Sequence, residues 1–393
     1  MTDVVADQKD FYQRKKVPTE IKHLILEKYI ASWGGIILQG NKGRRVRLAF
    51  VDTCAGSGLF GSYDIEAEPL LGSPLIGINS LHALATHERN INCDMQSKAL
   101  LIEKDEKTFR SLKAAIEKYA PNQENVEAIH GEFAEKIDNL LQFCEDYFSL
   151  VLIDPFGPSS VPFWAVSRVV AQKYTDITMH FPSNAILRMS GHLTYEPANR
   201  ISQERVKWLD DFFGSPDWRK IVDSSLSTEE KEERWIQFYL DRLRLFSKDI
   251  LPISIPLLFE TKERPIYHLI FMTRNLSGLM EMKRIMQQAK EYEAFRREQV
   301  KQQMRIEKTR QGELFEIEKT ASVPSVNIDE LAKQLHHKFK SKSVTREVVY
   351  RFAIFLENVL KTNIDKALTL LKRQRLLETP AGKASLNQLL KFL

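Results

Sequence analysis

The chain has 393 residues, 43% hydrophobic, 28% charged and 10% aromatic, with a formal net charge of +5. That length predicts two or three domains, and the composition is that of a globular protein rather than a disordered or fibrous one. No apolar run approaches the ~18 residues of a membrane-crossing helix. Asp3, Asp7, Lys9 and Asp10 break up any apolar leader, and Cys54, Cys93 and Cys144 form neither a zinc spacing nor a disulfide framework. A cytoplasmic protein in a reducing compartment, with no membrane partner, is the expectation.

Strand and helix patterns alternate from about residue 20 to 275. A helix is predicted from Thr19 as N-cap through "EIKHLILEKYIASW", then a strand "VRLAFVD". Ser73 and Pro74, read as cap and first-turn proline, open the helix "PLIGINSLHALATHE". Next come strand "KALLIEK", helix "EKTFRSLKAAIEKYA", strand "VEAIHGE", helix "AEKIDNLLQFCEDY", strand "SLVLIDP", a helix near "PFWAVSRVVAQ" and strand "DITMHF". Such alternation argues for a parallel sheet covered on both faces. A helical insert over about 185–247 precedes "ILPISIPLLF" and "IYHLIFMTR", which only "ETKERP" separates. Six residues are too few for a helical crossover, so an antiparallel hairpin is predicted. Five alternating units closed by a hairpin is the order of a class I methyltransferase-type, Rossmann-like sheet of seven strands, whereas a nicotinamide-type sheet would continue parallel.

From Gly278 the pattern becomes helical and increasingly charged and is read as a solvated connecting helix over 276–320, ending at a turn-rich "TASVPSVN". Three short helix patterns follow, "IDELAKQLHHKF", "TREVVYRFAIFLE" and "NIDKALTLLKRQRL", then a wing-like "LETPAGKAS". These predict a winged helix-turn-helix over 321–393 behind a first domain at 1–275. Residues 331–393 hold 13 Lys and Arg against 4 Asp and Glu, while the rest of the chain holds 44 against 48. A basic tail on a mildly acidic body suggests a polyanionic partner, nucleic acid first. Lys361, Lys366, Lys372, Arg373 and Arg375 are the expected phosphate contacts.

The first strand stops on Asp52 and is followed by Gly56, Gly58 and Gly61. No Gly-Lys-Ser/Thr follows, so this is not a Walker loop. Glycines at a strand's carboxyl end let backbone approach a ligand at the sheet's switch point. Acids recur at the next strand ends: Glu103, Glu132 and Asp154. Any one of them is more often a cap or a solvated residue. Together they outline a groove for an adenosine bearing a cationic group, which fits S-adenosyl-L-methionine. In that groove Glu103 would hold the ribose hydroxyls, Glu132 the adenine amine with Phe133 against the ring, and Asp52 would lie near the amino-acid portion. Cys54, Ala55, Gly56, Gly58 and Lys104 complete the expected cofactor-binding set.

In order, "DTCAGSG", "LLIEKD", "HGEF" and "LIDPFG" resemble the class I S-adenosylmethionine-dependent methyltransferases over residues 46–275. More narrowly, "KHLILEKYIASW", "FVDTCAGSGLF", "GSPLIGI" and "IDPFG" resemble the three-Cys-motif partner proteins, a resemblance that extends to the tail. It implies a bacterial or phage setting and a three-Cys-motif protein as possible functional partner. One departure is Cys54, where that family usually has Phe or a similar apolar residue. "DPFGPSSVPF" is also similar to an element of tRNA guanine-N2 dimethyltransferases.

The chemistry expected at "DPFG" is methylation of an exocyclic base amine. Asp154 and the Pro155 carbonyl would accept the two amine hydrogens and so aim the nitrogen lone pair, while Phe156 offers a stacking face. A target in a duplex would have to flip out. Cys54 is read as a small buried residue rather than a nucleophile, and His23 and His180 as packed or capping histidines. The alternative function is a non-catalytic cofactor-binding scaffold or regulator whose winged helix docks DNA or a partner protein.

Overall fold

The structure, a computed structural model, describes residues 16–60, 70–87, 90, 93–121, 123–191, 200–222, 225–309, 325–380, 382 and 384–393. It divides into two compact units, Met1–Arg274 and Asn275–Leu393.

Seven strands form the sheet of the first unit: β1 Val46–Asp52, β2 Met95–Glu103, β3 Val126–His130, β4 Phe148–Ile153, β5 Thr175–Phe181, β6 Leu251–Leu258 and β7 Pro265–Thr273. Their spatial order is β3-β2-β1-β4-β5-β7-β6, and only β7 runs against the rest. This is the class I methyltransferase sheet, closed by the predicted antiparallel hairpin. Leu48–Val51 of β1 are fully buried, because a parallel strand in mid-sheet is covered on both faces. The order reverses between β1 and β4, so their carboxyl ends splay apart and leave a crevice.

Five helices cover the alternating part: α1 Val17–Gly40, α2 Ser73–Thr86, α3 Glu106–Tyr119, α4 Ile137–Cys144 and α5 Phe163–Val170. α1 starts two residues before the expected cap, with Lys16 as N-cap and Pro18 in the first turn, where its fixed φ suits a helix. A Cβ on Gly77 of α2 would lie 2.1 Å from the Phe50 ring, so that glycine is what lets α2 lie close on β1.

Among the described residues between β5 and β6 the chain is helical: α6 Ser183–Ser190, α7 Arg200–Phe213, a 3-10 turn at Pro216–Ile221, and α8 Thr228–Arg244. A full capping box, Ser227 with Glu230, starts α8. The insert is held by an aromatic core in which Phe212 stacks on Tyr239 at 5.1 Å and Phe213 on Trp218 at 5.6 Å. Trp218 donates its indole N–H to Asp210 at 2.9 Å. Arg274, just after β7, donates to the carbonyls of Val170 and Gln172 at the end of α5, at 2.5 and 2.7 Å. That places a cation at a helix C-terminus.

The second unit begins with α9, Leu276–Thr309. The reading of this helix as solvated does not hold for its first half: Leu276, Leu279, Met282, Ile285, Met286 and Ala289 are buried. These apolar residues recur at helical spacing, and in the sequence the charges among them mask the pattern. Lys283 donates to the carbonyls of Ile354 and Leu356, the latter at 2.8 Å, and so ties α9 to the tail. The tail runs α10 Ile328–Phe339, β8 Ser343–Thr345, α11 Arg346–Ala353, α12 Lys361–Arg373, β9 Leu377–Glu378 and β10 Leu389–Phe392. β10 lies between β8 and β9, antiparallel to both.

Candidate functional site

The glycine loop leaves β1 at the crevice. Gly56 and Gly58 have φ of +63° and +78°, backbone that side chains rarely tolerate. A short pair of strands, Leu59–Phe60 with Leu70–Leu71, returns the chain to α2. Gly72 meets the loop there: its N–H donates to the Gly58 carbonyl at 2.7 Å, and a Cβ on it would lie 2.9 Å from that oxygen. Gly61 lies outside the described residues.

Asp52 and Glu103 hold the loop from behind. Asp52 is fully buried. It accepts from Cys54 N at 3.1 Å and from the Ser73 hydroxyl at 2.6 Å. Ser73 therefore spends its hydroxyl on Asp52 and does not cap α2, whose N-cap is Gly72. Burial pushes the Asp52 carboxyl up to about 7, against the pull of those two hydrogen bonds. Glu103, 6% exposed, accepts from Gly56 N and Asp105 N, both at 2.8 Å. Burial, with Asp52 and Asp154 nearby, pushes the Cys54 thiol far above its ordinary value, which disfavours the thiolate.

One cavity of about 340 Å³ opens in front of the loop. Cys54, Ala55, Gly56, Gly58, Asp154, Pro155 and Phe156 line it, together with Lys22, His180, Arg188 and Tyr267. The other predicted site residues lie elsewhere. Lys104 and Glu132 face each other at 3.8 Å, half exposed, at the ends of β2 and β3. Phe133 is sealed in the hydrophobic core at 3% exposure and is not a wall of this cavity.

Asp154 follows the end of β4 and is gripped from two sides. Lys22 of α1 reaches its Oδ2 at 2.5 Å, and His180 Nδ1 at the end of β5 contacts its Oδ1. Burial would raise this carboxyl, but His180 and Lys22 outweigh it and hold Asp154 well below the usual carboxylate range. Burial also holds His180 below its ordinary value, against the pull of Asp154. Tyr267 of β7 backs the cluster, 5.1 Å from the Lys22 ammonium and 5.4 Å from the His180 ring. Phe156 stands at 78% exposure on the cavity wall. An aromatic ring left that open beside a fixed carboxylate is not serving the core.

Sequence reasoning misses Lys22, Tyr267 and Arg188, and it assigns His180 to packing rather than to this cluster. Lys22 leaves only a weak trace, as one of two charges, with Glu20, between the apolar positions Val17, Ile21, Ile25 and Leu26. In the tail, Lys361, Lys366, Lys372, Arg373 and Arg375 are all exposed. Lys361 is paired with Asp365 at 2.8 Å, so part of its charge is spent within α12.

No family model matches the chain, and no curated protein matches its sequence. Solved structures that resemble it include a Legionella pneumophila protein, at 13% identity and a TM-score of 0.36 over 66% of this chain and 85% of that one. An O-methyltransferase from Bacillus cereus in complex with SAH is similar at 14% and 0.29, over 68% and 96%. A precorrin-6y C5,15-methyltransferase from Geobacter metallireducens is similar at 12% and 0.27, over 62% and 88%. At these values the likenesses add nothing to what the strand order shows of the fold.

Proposed function

We propose that the chain is an S-adenosylmethionine-dependent methyltransferase acting on an exocyclic amine of a nucleic-acid base. The observation that carries this reading is the meeting, in one cavity, of the glycine loop with Asp154, Pro155 and the exposed Phe156. The residues fit the cofactor on one structural count. Gly56 lines the cavity, and a Cβ built on it would meet nothing within 4 Å, so the backbone there is left bare toward a ligand. The loop from Cys54 to Gly58 would hold the group, with Asp52 and Glu103 fixing the loop, and Lys104 and Glu132 further out along the strand ends. When bound, S-adenosylmethionine supplies a sulfonium methyl group.

The chain's own part is orientation. Lys22 and His180 favour the ionised form of Asp154, which makes it a weak base and a good hydrogen-bond acceptor. Lys22 donates to one of its oxygens and His180 Nδ1 lies against the other, and a carboxylate oxygen retains a further lone pair for an amine hydrogen. Phe156 gives a planar base a face to lie on.

The tail's element order, a helix pair followed by an antiparallel hairpin, supports a winged helix-turn-helix that grips the substrate backbone. Its exposed basic residues support nucleic acid as the partner. Calorimetry with S-adenosylhomocysteine tests the cofactor assignment. Saturable binding is expected, with Gly56→Ala weakening it about tenfold, since one misplaced methyl group in a packed site costs about 1–3 kcal/mol. No binding by the folded wild-type protein would end the methyltransferase reading.

A further inference from the structure

We infer that the mouth of this cavity is an anion site that takes the phosphate of the target nucleotide, with Arg188 as its principal contact. The inference rests on the nucleic-acid reading above and specifies how the cavity holds its target.

Among the described residues, the cavity wall carries three cations, Lys16, Lys22 and Arg188, and one acid, Asp154. Lys22 is matched by Asp154 at 2.5 Å, which leaves the exposed Arg188 as the cation that no acid of the described lining answers. Lys16 and Arg188 come from separate elements, Lys16 from the N-cap of α1 and Arg188 from the exposed side of α6. Arg264 adds to the same edge, since its guanidinium contacts the side-chain oxygen of Asn184, another lining residue. The first turn of α6 also borders the cavity through Asn184 and Ala185, and its N-terminal partial charge has the same sign. A cation that no acid of the described lining answers calls for a ligand with an anionic group. Phe156 asks that the same ligand be planar in another part, and Asp154 asks that it carry hydrogen-bond donors. A nucleotide whose base bears an exocyclic amine meets all three demands, and a free nucleoside meets two. A guanidinium is suited to phosphate because it offers paired donors in a fixed fork.

Two ligand groups could bring the anion: the target's phosphate or the carboxylate of the cofactor's amino-acid end. The experiment separates them. Full-length protein is titrated with S-adenosylhomocysteine, and then, with that compound present, with adenosine against AMP, cytidine against CMP and guanosine against GMP. The same series is repeated with Arg188→Gln and Arg188→Lys. At least one monophosphate is expected to bind about tenfold tighter than its nucleoside, the worth of one charge-assisted hydrogen bond. Arg188→Gln should reduce that preference to within about twofold and Arg188→Lys should restore part of it, both without changing affinity for S-adenosylhomocysteine. A preference that survives Arg188→Gln, or the absence of any preference, overturns the inference. So does Arg188→Gln weakening S-adenosylhomocysteine instead, which assigns the anion to the cofactor. If S-adenosylhomocysteine fails to bind at all, the methyltransferase reading falls, while the monophosphate comparison still decides the phosphate site.

Discussion

Asp52 is an acid that ends a strand in the middle of the core. It has no exposure, and its two oxygens are met by Cys54 N–H and the Ser73 hydroxyl. Its folded pKa, about 7, lies above the ordinary 3.8 because burial disfavours the charge. The folded state therefore holds the proton more tightly than the unfolded state. The resulting stability is complete below pH 3.8 and is lost progressively as pH rises to about 7. Asp52→Asn removes that loss while keeping an acceptor and a polar partner for Ser73. Melting temperature followed from pH 4 to 8 should fall less steeply in Asp52→Asn than in wild type, and at pH 8 the variant should be at least as stable. A steeper fall would show that the charged form is the one the fold prefers. Tyr239 gives a second case. Its hydroxyl is buried with no hydrogen-bond partner among the described residues, in the middle of the aromatic cluster of the insert. Tyr239→Phe should raise stability by about 1 kcal/mol by removing an unsatisfied group, and denaturant unfolding would measure it; a drop of that size would mean the hydroxyl is satisfied.

At the scale of elements, the parallel strands are legible because each is an apolar run too short for a helix, ended by an acid or a turn. β1 spans "VRLAFVD" as read. Helix starts are less legible, because a cap is a matter of where one hydroxyl points. Thr19 and Ser73 have the right chemistry, but α1 begins ahead of Thr19 at Val17, and Ser73 points at Asp52 across the loop. α9 misleads because charges such as Glu281, Lys283 and Arg284 are interleaved with its buried apolar positions and blur their spacing. α12 buries Ile364, Ala367, Leu368 and Leu371, and so turns Lys366 and Arg373 outward together, seven residues apart on one face. If that face meets phosphates, the double change Lys366→Glu, Arg373→Glu should weaken nucleic-acid binding at low salt. It should also make the slope of log affinity against log salt shallower by about 0.9 for each phosphate no longer neutralised. Filter binding across a salt series would show it, and an unchanged slope would make α12 a protein-docking face instead.

At the scale of the molecule, the legible part of the site is the part that is local in sequence. The glycine loop and Asp154-Pro155-Phe156 are each contiguous, and the strand order brings them to one crevice. What surrounds Asp154 is not local: Lys22 precedes it by 132 residues, while His180 and Tyr267 come from β5 and β7. Only the sheet order, which sets β5 beside β4 and β7 beside β5, brings His180 and Tyr267 to that carboxylate, and no spacing in the sequence encodes it. The outer acids show the reverse limit. Glu103 stands at the predicted strand end, and each of its oxygens also accepts from a backbone N–H group, a pairing that no sequence pattern announces. Sequence gives the position of a side chain along a strand, not what that side chain is already bonded to.

The central claim is that Asp154 orients an amine for methylation. The most direct measurement is transfer of labelled methyl from S-adenosylmethionine to separated DNA, tRNA and rRNA by wild type, Asp154→Asn and Asp154→Ala. Affinity for S-adenosylhomocysteine and circular dichroism are taken on the same samples, because Asp154→Ala leaves the Lys22 charge without its partner. Wild type should label one class of nucleic acid. Asp154→Ala should slow transfer by about a hundredfold or more, the scale of removing one orienting group, while still binding S-adenosylhomocysteine. Asp154→Asn keeps one acceptor oxygen and should retain partial activity. Transfer by folded Asp154→Ala at the wild-type rate, or loss of S-adenosylhomocysteine binding in place of transfer, would contradict the account.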